Sequence, residues 1–207
     1  MAELIAYLST DPVVAEPITL DEVKTQARID PDLTDDDLFI QSVIIPGARQ
    51  QAESRTGSAI RPARYRQVCG SFPHDGAAIA ITHGSVIAVE GMTYALPHQP
   101  GLRASINPAS FEVTVIDRET VVAPIDGKWP HAGRSPRAVE ITYTAGIDPA
   151  VFSDRYPSVK IWILMAAAWA YAQREMFLLQ TRGAGYQELP SDYMQTLLDP
   201  LRVPPRW

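Results

Sequence analysis

Histidine is the side chain best suited to moving protons near neutral pH, and this sequence holds four: His74, His83, His98 and His131. No two stand at the i, i+4 helical spacing that lets a pair grip one zinc ion, and none lies beside a CxxC pair. His74 is followed by Asp75, the type of neighbour that orients an imidazole, yet no serine or cysteine occupies a nucleophile-elbow context that would complete a triad. The single cysteine, Cys69, reads as a small apolar strand residue with nothing nearby to activate it. Asp35, Asp36 and Asp37 offer oxygen ligands, but a metal needs donors converging from several directions. These three read as a solvated helix start, where carboxylates favour the positive end of the dipole. The glycine-bearing stretches GSV (84–86) and GAGYQE (183–188) lack the patterns that cradle phosphate between strand and helix. Arg61, Arg64 and Arg66 around Tyr65 could touch nucleic acid, but in an acidic chain they read as a solvated strand edge. No catalytic residue, metal or cofactor is expected on these grounds.

The whole composition points the same way. A net charge of −6 provides no positive field to draw the protein onto DNA or acidic lipid. One cysteine cannot staple the chain internally, and the reduced cytosol suits it. The N-terminal stretch lacks a basic leader followed by an apolar core, so no export signal is expected. At 207 residues and 46% apolar composition, the chain is long enough to bury one or two cores.

The elements follow from local signals. Thr19 and Glu22 form a capping box that starts a helix over about 20–28, with Leu20, Val23 and Ala27 as its apolar stripe. A second helix, capped by Thr34 or Asp35, should end at Gly57, with Leu38, Ile45, Ala48 and Ala52 inward and Pro46 kinking or dividing it. From 58 to 146 the pattern alternates with period two, as in FEVTVI (111–116) and VEITYT (139–144). With YRQVCG, AIAIT, VIAVEGMTYAL and ETVVAP this gives about six antiparallel strands of a small sandwich or open barrel. A helix from Pro157 to about Leu179 and a short one begun near Pro190 and halted before Pro200 follow, before the extended LRVPPRW. The fold class is therefore α+β, a helical scaffold carrying an inserted antiparallel β subdomain. Its parts are an N-terminal extension (1–16), scaffold (17–57 and 147–199), β-rich insert (58–146) and C-terminal tail (200–207).

One stretch asks for more explanation. Ile161 to Ala172 is apolar on every side of the expected helix, too short for a bilayer, which needs about 20 residues. Such a helix must be covered all round. One account is a central core helix with Ile161, Leu164, Met165, Ala168 and Ala172 inward. The other is that its remaining side, with Trp162, Trp169 and Tyr171, meets the insert or a neighbouring subunit.

ITLDEVKTQARID, DDDLFIQSVIIPGARQQAESRTGSAI, the β-rich middle with AVEITYTAGI, the apolar helix and the terminal LLDPLRV together resemble the head-to-tail connector (adaptor) proteins of long-tailed phages and gene-transfer particles, in the version with a β insert. The resemblance spans residues 17–204; Pro46 and the first 16 residues depart from it. It implies a structural virion protein without catalysis, forming a twelvefold ring beneath the portal of the head. That ring would extend the DNA channel and present a surface to the stopper or tail. Carried over, the C-terminal residues Leu201, Arg202, Val203 and Trp207 would reach the portal. Double-stranded DNA would pass without specific binding, and no membrane is involved. The protein would sit in the virion neck after assembly in the host cytoplasm. The rival reading is a small enzyme or ligand-binding protein with a site between insert and helices, around His74, Asp75 and His131.

Overall fold

The computed structural model describes residues 4–8, 14–99, 101–116, 118–173 and 191–204. The chain divides into two compact units, one drawn from Met1–Val14, Gly57–Ile147 and Val203–Trp207, the other from Ala15–Thr56 and Asp148–Arg202.

The second unit is helical. α1 (Leu20–Ala27) begins with the expected capping box: the Glu22 amide donates to the Thr19 hydroxyl at 3.3 Å, and the Thr19 amide donates to the Glu22 carboxylate at 2.9 Å. Arg28, in the left-handed conformation at φ 57°, closes it. α2 (Asp37–Phe39) runs through a π-helical turn (Ile40–Ile44) into α3 (Ile45–Thr56). The wide turn ends at Ile44, two residues before Pro46, which has no amide proton and whose ring would clash with the carbonyl four residues back in a regular helix. The divided helix is thus what Pro46 demands. The π turn also corrects one expectation. Ile45, Ala48 and Ala52 are buried, but Leu38 is 76% exposed and Ile40 takes the inward place. Spreading an extra residue into one turn rotates everything before it by about 100° relative to α3. Gly57 ends α3 at φ 71°, the left-handed cap foreseen.

α4 (Pro149–Arg155) was not anticipated, although its signals are plain: the Ala150 amide donates to the Asp148 carboxylate at 2.9 Å, and Pro149 opens the first turn. α5 (Pro157–Ala172) packs on α1, α3 and α4. The expected continuation to Leu179 lies outside the described residues. α6 (Ser191–Thr196) is followed by a 3₁₀ turn at Asp199–Leu201, so helical geometry passes through Pro200 rather than stopping before it. Proline is tolerated in a first turn because its amide would be unbonded there anyway.

The first unit is a pair of antiparallel sheets sharing one core. The larger has the order β1 (Leu4–Leu8), β2 (Ala63–Cys69), β8 (Val139–Ala145), β4 (Val86–Ala95), β5 (Arg103–Ser105). The smaller has the order β3 (Ile79–Ala80), β7 (Glu119–Pro124), β6 (Phe111–Ile116). Tyr65, Met92, Ile141 and Tyr143 from the first meet Ile79, Phe111 and Val122 from the second. Fully buried Gln67 bridges the sheets: its amide nitrogen donates to the Ala80 carbonyl at 2.9 Å, and its oxygen accepts from the Thr82 amide at 2.8 Å. Such a bridge satisfies polar groups that would be costly to bury alone. β8 alternates buried and half-buried residues along its whole length, as its sequence does.

Two differences from the sequence expectation stand out. AIAIT forms only a two-residue strand, and the N-terminal stretch, for which no place was foreseen, supplies β1, pairing from Leu4 opposite Val68 to Leu8 opposite Arg64. β2 is therefore an interior strand, and the arginines it carries do not mark a sheet edge.

Candidate assembly surfaces

α5 hides one face and opens the other. Val159, Trp162, Ile163 and Ala167 are buried, whereas Ile161 is 47% and Trp169 68% exposed, with Met165 and Ala168 half-buried between them and Ala172 exposed beyond them. Leu164 and Tyr171 are half-buried. The inward face is thus nearly the reverse of the one the spacing suggested. Trp162, expected outward, is buried, and Ile161, expected inward, is not. The reason lies in the helix itself: with no polar side, its apolar pattern cannot fix its rotation. Anchors elsewhere in the unit fix it. The Lys160 ammonium donates to the Glu22 carboxylate and to the Ser153 hydroxyl, Tyr171 donates to the Asp36 carboxylate at 2.8 Å, and the Arg55 guanidinium lies 5.6 Å over the Trp162 ring. Lys160 and Tyr171 are three turns apart and so share one side. Burial raises the Glu22 carboxyl, but hydrogen bonds from Lys160 and Thr19 outweigh it and hold it below its ordinary value.

The aspartate run serves that positioning. Asp36 holds Tyr171, and Asp37 pairs at 2.6 Å with Lys24, a lysine only 4% exposed. Lys24 also donates to the carbonyls of Pro31 (3.2 Å) and Leu33 (2.7 Å). One buried ammonium thereby shapes the turn between α1 and α2, a role the apolar stripe of α1 gave no hint of. Because Tyr171 ties the start of α2 to the last turns of α5, exposed Leu38 and Phe39 lie at the same end of the unit as Trp169.

The C-terminal residues divide. Leu201 is buried in the helical unit and Arg202, exposed, pairs with Asp199 at 3.2 Å. Val203 belongs to the β unit and is half-buried there, with Gly57 and Gly84 beside it. A β-carbon on Gly84 would stand 2.7 Å from a Val203 methyl and 2.2 Å from the Ser58 hydroxyl, so the glycine is there to admit them. Trp207 lies outside the described residues.

The groups singled out for chemistry do not gather. His74 and Asp75 sit on a 3₁₀ turn (His74–Gly76), and among the described residues no hydrogen bond or ion pair links them to each other or to His131. No three His, Cys, Asp or Glu side chains among the described residues are placed to hold a metal ion. His83 instead belongs to the β core: its Nδ1 is 2.7 Å from the Tyr143 hydroxyl, its ring lies 4.2 Å from Tyr65, and burial lowers its pKa. On the sheet, Arg64 pairs with Glu90 at 2.6 Å and Arg66 with Glu140 at 3.8 Å, where Arg137 also pairs at 2.9 Å. These cations are matched by carboxylates, which weakens any nucleic-acid reading. No helix among the described residues is long and apolar enough to cross a membrane.

With this geometry in hand, the connector resemblance is borne out. Residues 17–97 match the family described as phage gp6-like head-tail connector protein. Among solved structures, a chain from the neck of an empty GTA particle, computed with C6 symmetry, superposes at a TM-score of 0.74 with 16% identity, covering 99% of this chain and 97% of that one. A chain from the virion of a native gene transfer agent particle gives 0.74 with 17% identity and the same coverage. One from the neck of a native GTA particle, computed with C12 symmetry, gives 0.66 with 15% identity, again covering 99% and 97%. No protein with a curated description matches the chain.

Proposed function

We infer that this chain is a structural head-to-tail connector, a subunit of the neck that joins a DNA-filled head to its tail, with no catalytic step of its own. The observation that carries the reading is the connector-family match over 17–97, in a chain whose whole fold is that of a particle-neck subunit. The half-covered α5 gives it a physical basis. A ring subunit needs two different contact patches, one for each neighbour, and an apolar helix face left open in the single chain is suited to be one of them. Ile161, Met165 and Trp169 are the residues assigned to that contact, with Trp162 and Leu164 supporting them from behind.

Further assignments rest on this reading. Copies form a twelvefold ring under the portal, extend its channel, and offer their far side to a stopper or tail protein. The net charge of −6 suits a channel through which DNA slides, since a basic lining would hold phosphates. The C-terminal end docks on the portal through Arg202 and Trp207, an exposed cation and an aromatic anchor, while Leu201 and Val203 seat the tail on its own chain.

The test is to mix the purified chain with the portal of the same particle and look for rings on the portal by sedimentation and electron microscopy. Absence of a complex refutes the connector reading. A chain ending at Pro204, which keeps the packed Leu201 and Val203, should lose portal binding. Undiminished binding would remove the tail assignment while leaving the ring intact.

A further inference from the structure

Among the strands whose burial is described, β6 is the least covered. It pairs with β7 on one side only, so its outer edge offers unpaired backbone groups. A half-buried strand normally hides alternate residues. Beyond Phe111 this one hides none: Glu112 through Ile116 are all exposed, Val115 at 66%. A long apolar sheet edge of this kind invites another chain.

The same unit carries a surface of opposite character. β5 is the end strand of the larger sheet, and beside it lies a groove of about 330 Å³ lined by Leu96, His98, Leu102, Arg103 and Arg134. Leu102 is exposed within it. From Gly127 to Val139 the chain has no acidic residue, while Lys128, Arg134 and Arg137 are basic. Arg103 and Arg137 lean on Glu140. Among the described residues Arg134 has no ion-pair partner, and neither has Glu112 on β6. The unit thus presents an acidic, apolar strand edge and a basic, apolar slot, each with an unmatched charge of the sign the other needs.

Resting on the ring reading, we propose that β6 of one copy docks into the groove beside β5 of the next copy. Val115 and its neighbours fill the slot beside Leu102, and Glu112 meets Arg134. Two unlike patches on every copy give a contact that propagates around a ring, whereas one self-matching patch would stop at a dimer. Complementary charge would fix the register of the two copies and disfavour other pairings.

The experiment uses the full-length chain with Val115→Cys and Leu102→Cys together, assembled on its portal and oxidised. Buried Cys69 does not compete. A ladder of cross-linked chains on a denaturing gel, absent from either single variant, is the expected result. Rings seen in micrographs without a ladder overturn the proposal and leave the connector reading standing. Cross-linking of Val115→Cys to the portal or a tail protein instead of a second copy also overturns it. If the wild-type chain forms no rings, the connector reading falls and takes the proposal with it. As a second measurement, Glu112→Arg should weaken ring assembly roughly tenfold, and adding Arg134→Glu should restore it. Both variants lie on exposed positions, so folding should be unaffected, and a Glu112→Arg chain that assembles like wild type counts against the contact.

Discussion

Replacing Trp169 with alanine separates assembly from folding. A tryptophan offers up to about 250 Å² of surface. Trp169 is 68% exposed, which leaves about 170 Å² of it for a neighbour to cover, or about 4 kcal/mol at about 25 cal/mol/Å². Because interfaces rarely bury a residue completely, about 2 to 4 kcal/mol per contact is expected, a weakening of between about 30-fold and several hundred-fold. Folding should hardly notice, since an exposed side chain contributes within about 0.5 kcal/mol. Trp162, about two turns away on the same helix and only 4% exposed, makes the control: alanine there should cost folding about 3 to 5 kcal/mol. Ring formation on the portal, followed by sedimentation, reads the first effect, and a denaturant or calorimetric melt reads the second. If Trp169→Ala assembles as readily as wild type, or melts as early as Trp162→Ala, the argument that α5 keeps one face for a neighbour is wrong.

Other parts of the structure make separate predictions. Lys24→Met should remove about 3 to 5 kcal/mol, because it strips Asp37 and two carbonyls of their shared partner; a urea midpoint lowered at unchanged slope would show it. His83 is held below its ordinary value of about 6.5 by burial, so the unfolded chain takes up the proton first. The stability this lends the β unit is full above about 6.5 and is lost as pH falls from there toward the native value. The melting temperature of wild type should therefore drop between about pH 7 and 5, and that of His83→Phe should drop less; equal slopes would exclude His83 as the cause. Glu22 acts in a lower window, its contribution present above about 4.3 and lost as pH falls through its depressed native value, and Glu22→Gln should flatten that limb. Gly84→Ala would press a methyl onto Ser58 and Val203, costing about 1 to 3 kcal/mol and hastening proteolysis of the C-terminal end.

The resemblance to connectors was legible before any coordinates, because it resides in the order of elements along the chain, and the elements have local causes. The Thr19–Glu22 box, Gly57 at a helix end, Pro46 dividing a helix, and the alternation of VEITYT each act within a few residues, where neighbours in sequence are neighbours in space. Asp148 and Pro149 carried an equally local signal for α4 that went unread. Leu38 was misjudged because the π turn, a response to Pro46, shifts the helical phase that the spacing rule assumes constant.

What the sequence determined by itself was thus most of the helices and strands, though neither α4 nor β1, together with the apolar character of α5 and the absence of any motif for catalysis. Tertiary structure alone decided which way α5 turns, that β2 is interior because the N-terminal strand pairs with it, that Lys24 is buried, and that the sheet arginines find carboxylates. The physical reason is range. A cap or an alternation is fixed by contacts three or four residues apart, but an apolar helix has no preferred side until Glu22 and Asp36, more than a hundred residues away in the chain, take hold of Lys160 and Tyr171.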